Sequence, residues 1–334
     1  MVFRHSTRLL SSRAHVTPAT EAPAPSVPAG PTKHERFDWR RWVFALVPAV
    51  GLLELGAHLV QTHSVVPEDD WKAARAYVTA QAKPDDLVAF APRWADPIGR
   101  ETFGPQLATV EREARPDETR FPRALEVSIR GAHLPAFDGW GRAAQQSFGG
   151  VTVTTWTNPS PAVVLDDLVS LVDPQHLRVS RGETECNFVH GTPTSGNLGA
   201  GPTIPGDRFA CPGGAFVGVS VVADLDYAPH RCIYAPPTGG SPLRLRWLDV
   251  RFGHTLHGHH ALYVEAERDR KGSPVTVVFK SGDTEVGHVV HRDGDGWKPF
   301  ELDTSALAGQ HGELVAEITS SGDRRMYCFE ADTR

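Results

Sequence analysis

The sequence lacks the short motifs that identify several enzyme classes. It has no G-x-G-x-x-G after a strand, no phosphate-binding P-loop, no G-x-S-x-G nucleophile elbow and no H-E-x-x-H zinc motif. Nucleotide binding, serine-hydrolase chemistry and zinc-peptidase chemistry therefore have no support from motifs. Lysine is rare, and the net charge of −6 comes without a basic patch, so we expect no nucleic acid as a partner.

Cysteine is also scarce, and all four residues lie in the second half of the chain, at Cys186, Cys211, Cys232 and Cys328. There is no C-x-x-C pair to indicate a zinc knuckle or a thioredoxin-like motif. An even number of cysteines confined to one part of the chain predicts two disulfides in an oxidising compartment. Of the three possible pairings we favour Cys186–Cys211 and Cys232–Cys328, because the first and last strands of a jelly roll are often neighbours.

One apolar run stands out, WVFALVPAVGLLELGAHLV over residues 42–60. A helix of this length rises about 28 Å, close to the bilayer core of roughly 30 Å. Basic residues precede the run and acidic residues follow it, so the N-terminus is expected in the cytoplasm and the later residues outside. We therefore predict an uncleaved signal-anchor, with a transmembrane helix over 42–61, in a bacterial inner membrane. A buried core helix is the alternative.

The chain divides into four predicted regions. Residues 1–41 form a disordered cytoplasmic N-terminus, and residues 42–61 form the membrane helix. Residues 66–174 alternate between helical and strand patterns, which predicts a small α/β layer domain with βαβ crossovers. Residues 175–334 carry short alternating runs broken by Gly, Asp and Pro, which predicts a disulfide-containing, jelly-roll-like antiparallel β-sandwich with periplasmic location.

The patterns also place individual elements. The α/β domain is expected to contain a helix after Pro67 and helices over residues 103–115, 138–147 and 162–172. Its expected strands are Leu87–Ala91, Ala124–Ile129 and Val151–Trp156. The expected strands of the sandwich are Phe216–Val222, Leu243–Phe252, Ala261–Glu267, Val275–Lys280, Glu285–His291, Pro299–Leu302, Glu313–Thr319 and Arg324–Glu330. Within Leu243–Phe252 the apolar positions shift by one residue, which predicts a β-bulge near Trp247–Leu248.

Residues 70–92, DWKAARAYVTAQAKPDDLVAFAP, resemble the start of the extracytoplasmic domain in membrane glycosyltransferases of the dolichyl-phosphate-mannose mannosyltransferase type. In those enzymes a Trp-containing amphipathic helix runs into a turn and a buried strand. The resemblance implies no transferase activity and no catalytic residue, because this chain lacks their many membrane helices and their catalytic acidic loop.

The C-terminal part is similar to galactose-binding-like jelly rolls of carbohydrate-binding modules. The similarity lies in an acidic Gly turn with a Trp (DGDGW, residues 293–297), then ELDTSALAG over residues 301–309, then a strand over 313–320. It implies glycan binding as an expectation, since the same fold carries other functions as well.

Three groups of side chains are candidate site residues. Aromatic rings that could stack on the apolar C–H faces of sugars are Trp297, Tyr234, Trp247 and Tyr263, although large aromatics also fill cores. Asp293 and Asp295 offer two carboxylates in a Gly loop, which suits a structural calcium ion; a hairpin that caps its own amides is the alternative. His257 and His259 share one face of a strand and could bind a metal ion, or could simply be polar residues at a strand end.

We expect a membrane-anchored extracytoplasmic protein that binds a carbohydrate or an envelope protein without catalysis, and that needs no cofactor other than a structural calcium ion. Two alternatives stay open. One is an enzyme or accessory subunit of surface-glycan or lipid-linked sugar processing, with its site between the two domains. The other is a structural scaffold of a membrane complex.

Overall fold

The computed structural model of the chain describes residues 40–63, 65–108, 114, 117–194, 202–225, 227–323 and 325–334. It contains two compact units, residues 1–62 and residues 63–334, which are considered separately. Of the predicted disordered N-terminus, only residues 40 and 41 lie within the described part, and both are helical.

Helix α1 spans Arg40–His63, with Pro48 inside it, so the predicted membrane segment is helical. Its apolar side chains, such as Phe44 and Leu53, are exposed. Over the described residues, however, no helix combines the length and the apolar character that crossing a bilayer requires. The transmembrane prediction is therefore unsupported.

The small domain is a four-stranded sheet with helices α2 (Glu68–Gln81) and α3 (Asp96–Phe103). Its strands are β1 (Leu87–Ala91), β2 (Arg123–Ile129), β3 (Gly141–Phe148) and β4 (Val151–Thr157), in the order β1-β2-β4-β3. Only the β1–β2 pair is parallel. Trp71, Ala74 and Val78 of α2 pack against Leu125 and Val127 of β2, so α2 covers one face of the sheet.

Two of the helices expected in this domain are wrong, those over residues 138–147 and 162–172. Residues 138–147 form most of β3, because the Gly149–Gly150 turn folds this segment back onto β4 as a hairpin. Residues 162–172 contain the two-residue strand β5 (Asp166–Asp167), which pairs with the last strand of the chain. The helix predicted over 103–115 stays a prediction, because residues 109–113 and 115 lie outside the described part; before them, α3 ends at Phe103 and residues 105–107 form a turn.

The remaining strands build two packed antiparallel sheets, which confirms the predicted sandwich. The strands are β6 (Leu177–Arg181), β7 (Thr184–Glu185), β8 (Asn187–Val189), β9 (Arg208–Ala210), β10 (Phe216–Ala223), β11 (Pro229–Tyr234), β12 (Leu243–Arg251), β13 (Thr255–Leu262), β14 (Val275–Ser281), β15 (Thr284–His291), β16 (Lys298–Asp303), β17 (His311–Ser320) and β18 (Tyr327–Thr333). One sheet has the order β16-β13-β18-β11-β10-β9-β8, with β5 also on β18, and the other has the order β15-β14-β17-β12-β6-β7.

The core between these sheets is apolar and contains the fully buried Trp247, Phe279 and Phe329. The pairing of β12 with β17 shifts between Trp247 and Val250, so the predicted bulge is confirmed. The predicted strand Ala261–Glu267 is wrong, because the chain turns after β13 into a short helix, α4 (Val264–Asp269). The Glu267 carboxylate turns back and accepts a hydrogen bond from the Leu262 N–H.

Both predicted disulfides are present, with the pairing favoured from the sequence. Cys186–Cys211 closes the short β8–β9 ribbon, and Cys232–Cys328 joins the adjacent strands β11 and β18. The sequence separations are 25 and 96 residues. Closing loops of such lengths removes chain entropy from the unfolded state, which stabilises the fold by about 3 to 5 kcal/mol for each bond.

A polar network joins α4 to both sheets of the sandwich, through β13 and β18 of one sheet and β15 of the other. Glu267 and His291 are both fully buried, and His291 Nε2 lies 2.6 Å from Glu267 Oε1. His260, also buried, lies with Nδ1 3.0 Å from the Tyr327 hydroxyl, and its ring is 4.9 Å from that of His291. Burial, together with the nearby His291 and Lys298, lowers the pKa of His260 to about 3.

This pKa predicts that the free energy of unfolding falls as the pH drops from about 6.5 towards 3. The unfolded chain binds a proton at His260 near pH 6.5, whereas the native chain does not until about pH 3, so acid favours the unfolded state. The full effect is on the order of 5 kcal/mol. In urea unfolding of the full chain between pH 7 and 4, His260→Gln should flatten this decline. Equal slopes for His260→Gln and the parent chain would contradict the prediction.

Candidate functional site

A polar groove of about 230 Å³ lies on the face of the small sheet opposite α2. Because side chains alternate across a strand, Leu125 and Val127 of β2 face the helix, while Glu126 and Ser128 face the groove. At one end this face is covered by the loop that carries Leu134 and Phe137. The other end is open. The groove as a whole is lined by Glu126, Ser128, Gly131, Ala132, His133, Arg142, Gln145, Thr152, Thr154 and Trp156.

Glu126 forms the floor of the groove, and only 2% of its surface is exposed. Three donors satisfy its carboxylate: the Trp156 indole N–H at 2.8 Å, the Leu134 backbone N–H at 2.6 Å and His133 Nδ1 at 3.0 Å. A buried charge is stable only when it is paired and hydrogen-bonded. The carboxylate therefore fixes both the indole and the imidazole, whose ring centres are 5.0 Å apart.

His133 lies between two carboxylates. Its Nδ1 contacts Glu126, and its Nε2 lies 3.2 Å from Oδ1 of the exposed Asp138. Burial by itself would lower the pKa of His133, but the hydrogen bonds and charges of Glu126 and Asp138 outweigh it and raise this pKa above its ordinary value. The groove is therefore lined by an imidazole that retains its proton more readily than a free histidine.

Strand β3 supplies the opposite wall. Arg142 pairs across the sheet with Trp156, and Gln145 pairs with Thr154. Residues three apart in a regular strand point to opposite faces, but a register shift between Arg142 and Ala144 inserts one residue. This bulge brings Arg142 and Gln145 to the same face of the sheet as Trp156.

The four aromatic candidates of the sandwich are mostly inside it. Trp247 has no exposed surface, so it cannot reach a ligand. Tyr234 and Tyr263 are each 7% exposed and pack around the Cys232–Cys328 disulfide, and burial raises the pKa of Tyr234 to about 12. Trp297 is half-buried, and the His230 ring lies parallel to its indole at 4.1 Å, which covers one of the two indole faces. The structure does not bring these four rings together as one exposed surface.

The carboxylates proposed for calcium are paired with protein cations. Asp293 forms an ion pair with Arg325 and accepts a hydrogen bond from the Gly272 N–H. Asp295 lies 3.1 Å from the Lys298 ammonium. Burial by itself raises the pKa of Asp295, but hydrogen bonds from Lys298 and the Arg292 N–H outweigh this and lower the pKa below its ordinary value. A calcium ion would have to compete with Arg325 and Lys298, and its presence stays a prediction.

The two candidate metal-binding histidines lie on β13 with ring centres 5.3 Å apart, as their spacing predicts. Their partners differ, however. His259 Nδ1 lies 2.8 Å from the buried Glu330, whereas potential ligand atoms of His257, Asp117 and Asp332 lie within 4.8 Å of one another. The guanidinium of Arg334 binds both aspartates of that group. Because Arg334 already supplies a positive charge there, a metal ion would have to displace it.

The groove residues are not among the candidate site residues predicted above, although the sequence of β4 contains part of the pattern that indicates them. Strand β4, VTVTTWT, alternates so that Thr152, Thr154 and Trp156 lie opposite the buried Val151 and Val153. A polar strand face with a single tryptophan indicates a surface that water or a ligand covers. The contribution of β3 could not be predicted in the same way. Its residues 138–147 have the pattern of a helix, and the bulge that aligns Arg142 with Gln145 has no distinctive sequence.

No protein-family model and no curated protein sequence matches the chain. Among solved structures, it is similar to the M60 catalytic domain with the CBM51-1 and CBM51-2 domains of Clostridium perfringens ZmpB, at 14% identity and a TM-score of 0.32. That match covers 62% of this chain and 19% of the other. A second match is the CBM51-2 domain in complex with GlcNAc and INT domains of the same protein, at 11% identity and a TM-score of 0.29, covering 62% and 40%.

This chain thus spans less than half of each matched structure. Neither structure is a membrane glycosyltransferase, so the resemblance of residues 70–92 to those enzymes gains no support.

The arrangement around Glu126 yields a measurable prediction. The pKa of His133 should lie above the ordinary value of about 6.5 and should fall more in Glu126→Gln than in Asp138→Asn, because Glu126 is buried and Asp138 is exposed. Titration of the imidazole Cε1–H shift by NMR measures both changes, with circular dichroism as the check on folding. A larger fall in Asp138→Asn would show that Glu126 is not the main stabiliser of the protonated ring.

Proposed function

We propose that this chain is an extracytoplasmic glycan-binding module whose glycan binds in the groove on the small sheet. The observation that carries the proposal is Trp156. Its half-buried indole is held by a hydrogen bond to Glu126 and is surrounded by His133, Arg142 and Gln145. Sugar rings combine apolar C–H faces with closely spaced hydroxyl groups, so they suit an aromatic surface with planar polar side chains at its edge.

Preorganisation favours the groove over the sandwich as the binding site. Trp156 packs against Phe137 and His133, and its indole N–H is already satisfied, so little side-chain entropy is lost when a ligand binds. Trp297, the half-buried aromatic candidate of the sandwich, also stacks on a histidine, His230, but its buried indole N–H has no hydrogen-bond partner among the described residues.

The contacts of His133 argue against a hydroxyl nucleophile activated by this imidazole. Such catalysis needs a hydroxyl group or thiol within hydrogen-bond reach of the ring. The nearest partners of the two ring nitrogens are Glu126 and Asp138, and the hydroxyl group of Ser128 donates to the Thr152 carbonyl oxygen instead.

The same proposal includes a location. Two disulfides in a chain without free cysteines suit an oxidising compartment such as the periplasm. The exposed apolar side chains of α1, with basic residues before them in the sequence, are the basis for attachment of residues 42–61 to the bacterial inner membrane.

The glycan-binding prediction is tested by removing the aromatic surface. Trp156→Ala should weaken binding by about 2 kcal/mol, roughly 30-fold, because a central aromatic contact is lost. The full chain is first screened on a glycan array, and the affinity for the best ligand is then measured by isothermal titration calorimetry. Trp94→Ala is the matched control, since Trp94 is an exposed tryptophan of the same domain that does not line the groove. Equal affinities of parent and Trp156→Ala would place the glycan elsewhere.

The location has its own test. In cells that express the full chain, a membrane-permeant alkylating reagent should label no cysteine before reduction and all four after denaturation and reduction, since both cysteine pairs are oxidised. The chain should stay with the membrane fraction through a high-salt wash. Rapid labelling of all four residues without reduction would contradict the oxidising location, and release by salt would contradict apolar attachment.

A further inference from the structure

The two charged side chains Glu126 and Arg142 of the groove differ in whether they have a charge partner. Glu126 is neutralised by His133 and by two further donors. Arg142 has no such partner: among the described residues no carboxylate lies within ion-pair distance of it, and its guanidinium donates to Gln145 Oε1 at 3.3 Å. Arg142 is therefore an exposed cation in the groove lining with most of its donors unused.

The position of Arg142 is fixed relative to the aromatic surface. Arg142 and Trp156 are directly paired on neighbouring strands, and such pairs have Cβ atoms about 5 Å apart on the same face. A sugar ring that lies on Trp156 would therefore present one of its substituents to the guanidinium. Gln145, which the bulge brings to the same face, adds an amide to that edge of the groove.

We propose that the ligand of the groove is an acidic sugar, a uronic-acid type of residue whose ring lies on Trp156 and whose carboxylate is bound by Arg142. This inference rests on the proposed glycan-binding function and specifies its ligand class. A planar guanidinium binds a carboxylate through two parallel hydrogen bonds, which a neutral hydroxymethyl group at the same ring position cannot form.

The experiment uses pairs of ligands that differ only in the acidic group. Pectate, alginate and hyaluronate oligosaccharides are each compared with their carboxyl-reduced forms by calorimetry with the full chain. We expect at least one acidic form to bind, and its reduced form to bind roughly 10- to 100-fold more weakly, as is typical of losing a charge-assisted hydrogen-bond pair. Raising the salt concentration should weaken binding of the acidic form only.

Two arginine variants assign the effect. Arg142→Gln should remove most of the difference between the acidic and reduced forms, while Arg75→Gln should leave it unchanged, because Arg75 is an exposed residue of α2, which covers the other face of the sheet. If Arg142→Gln still bound the acidic form as much more tightly than the reduced form as the parent chain does, Arg142 would not be the group that binds the carboxylate.

The outcomes separate this inference from the proposed function. Neutral and acidic forms that bind equally, with a loss in Trp156→Ala, would overturn the acidic ligand and leave the glycan-binding function standing. No binding of any acidic or neutral glycan by a folded chain would overturn both.

Discussion

The groove depends on the carboxylate of Glu126, a charge that the fold places under the surface of the small sheet. With 2% of its surface exposed, this group must receive its hydrogen bonds from the protein. The donors come from two segments: His133 and Leu134 are consecutive residues of the covering loop, and Trp156 lies on β4. One acidic side chain therefore holds the loop on the sheet and orients the two rings that line the groove, so the stability of the loop and the shape of the groove share one cause.

The sandwich depends in a similar way on β18, whose seven residues are all buried. It pairs with β13, β11 and β5, and carries Cys328 of the longer disulfide. Arg334, directly after it, binds Asp332 and reaches Asp117 near the start of the short turn before β2. The last residues of the chain thus connect the sandwich to the small domain, and the cationic guanidinium stabilises two carboxylates that would otherwise repel each other.

The alternation of apolar and polar residues and the number of cysteines predicted much of the fold. Helix propensity gave the wrong element where pairing with a distant strand determines the structure. Leu87–Ala91, the Trp247 bulge and both disulfides followed from residue spacing. Residues 138–147 are rich in helix formers such as Ala, Gln and Arg, yet they form β3 because pairing with β4 outweighs their helix propensity. Site residues are difficult to predict for a similar reason. Trp247 was a candidate ligand-binding residue but is fully buried, because the sequence alone does not distinguish a core tryptophan from an exposed one.

The proposed acidic ligand would approach a chain whose net charge is −6. If the charges of the whole chain acted on the ligand without screening, they would repel it. At physiological ionic strength, however, interactions are screened beyond about 8 Å, so the groups within the groove determine the local field. There the carboxylate of Glu126 is buried and paired, whereas Arg142 is exposed at the edge. Because Glu126 is buried and paired and the exposed Asp138 is in contact with His133, the guanidinium of Arg142 can attract an anion despite the net charge of the chain.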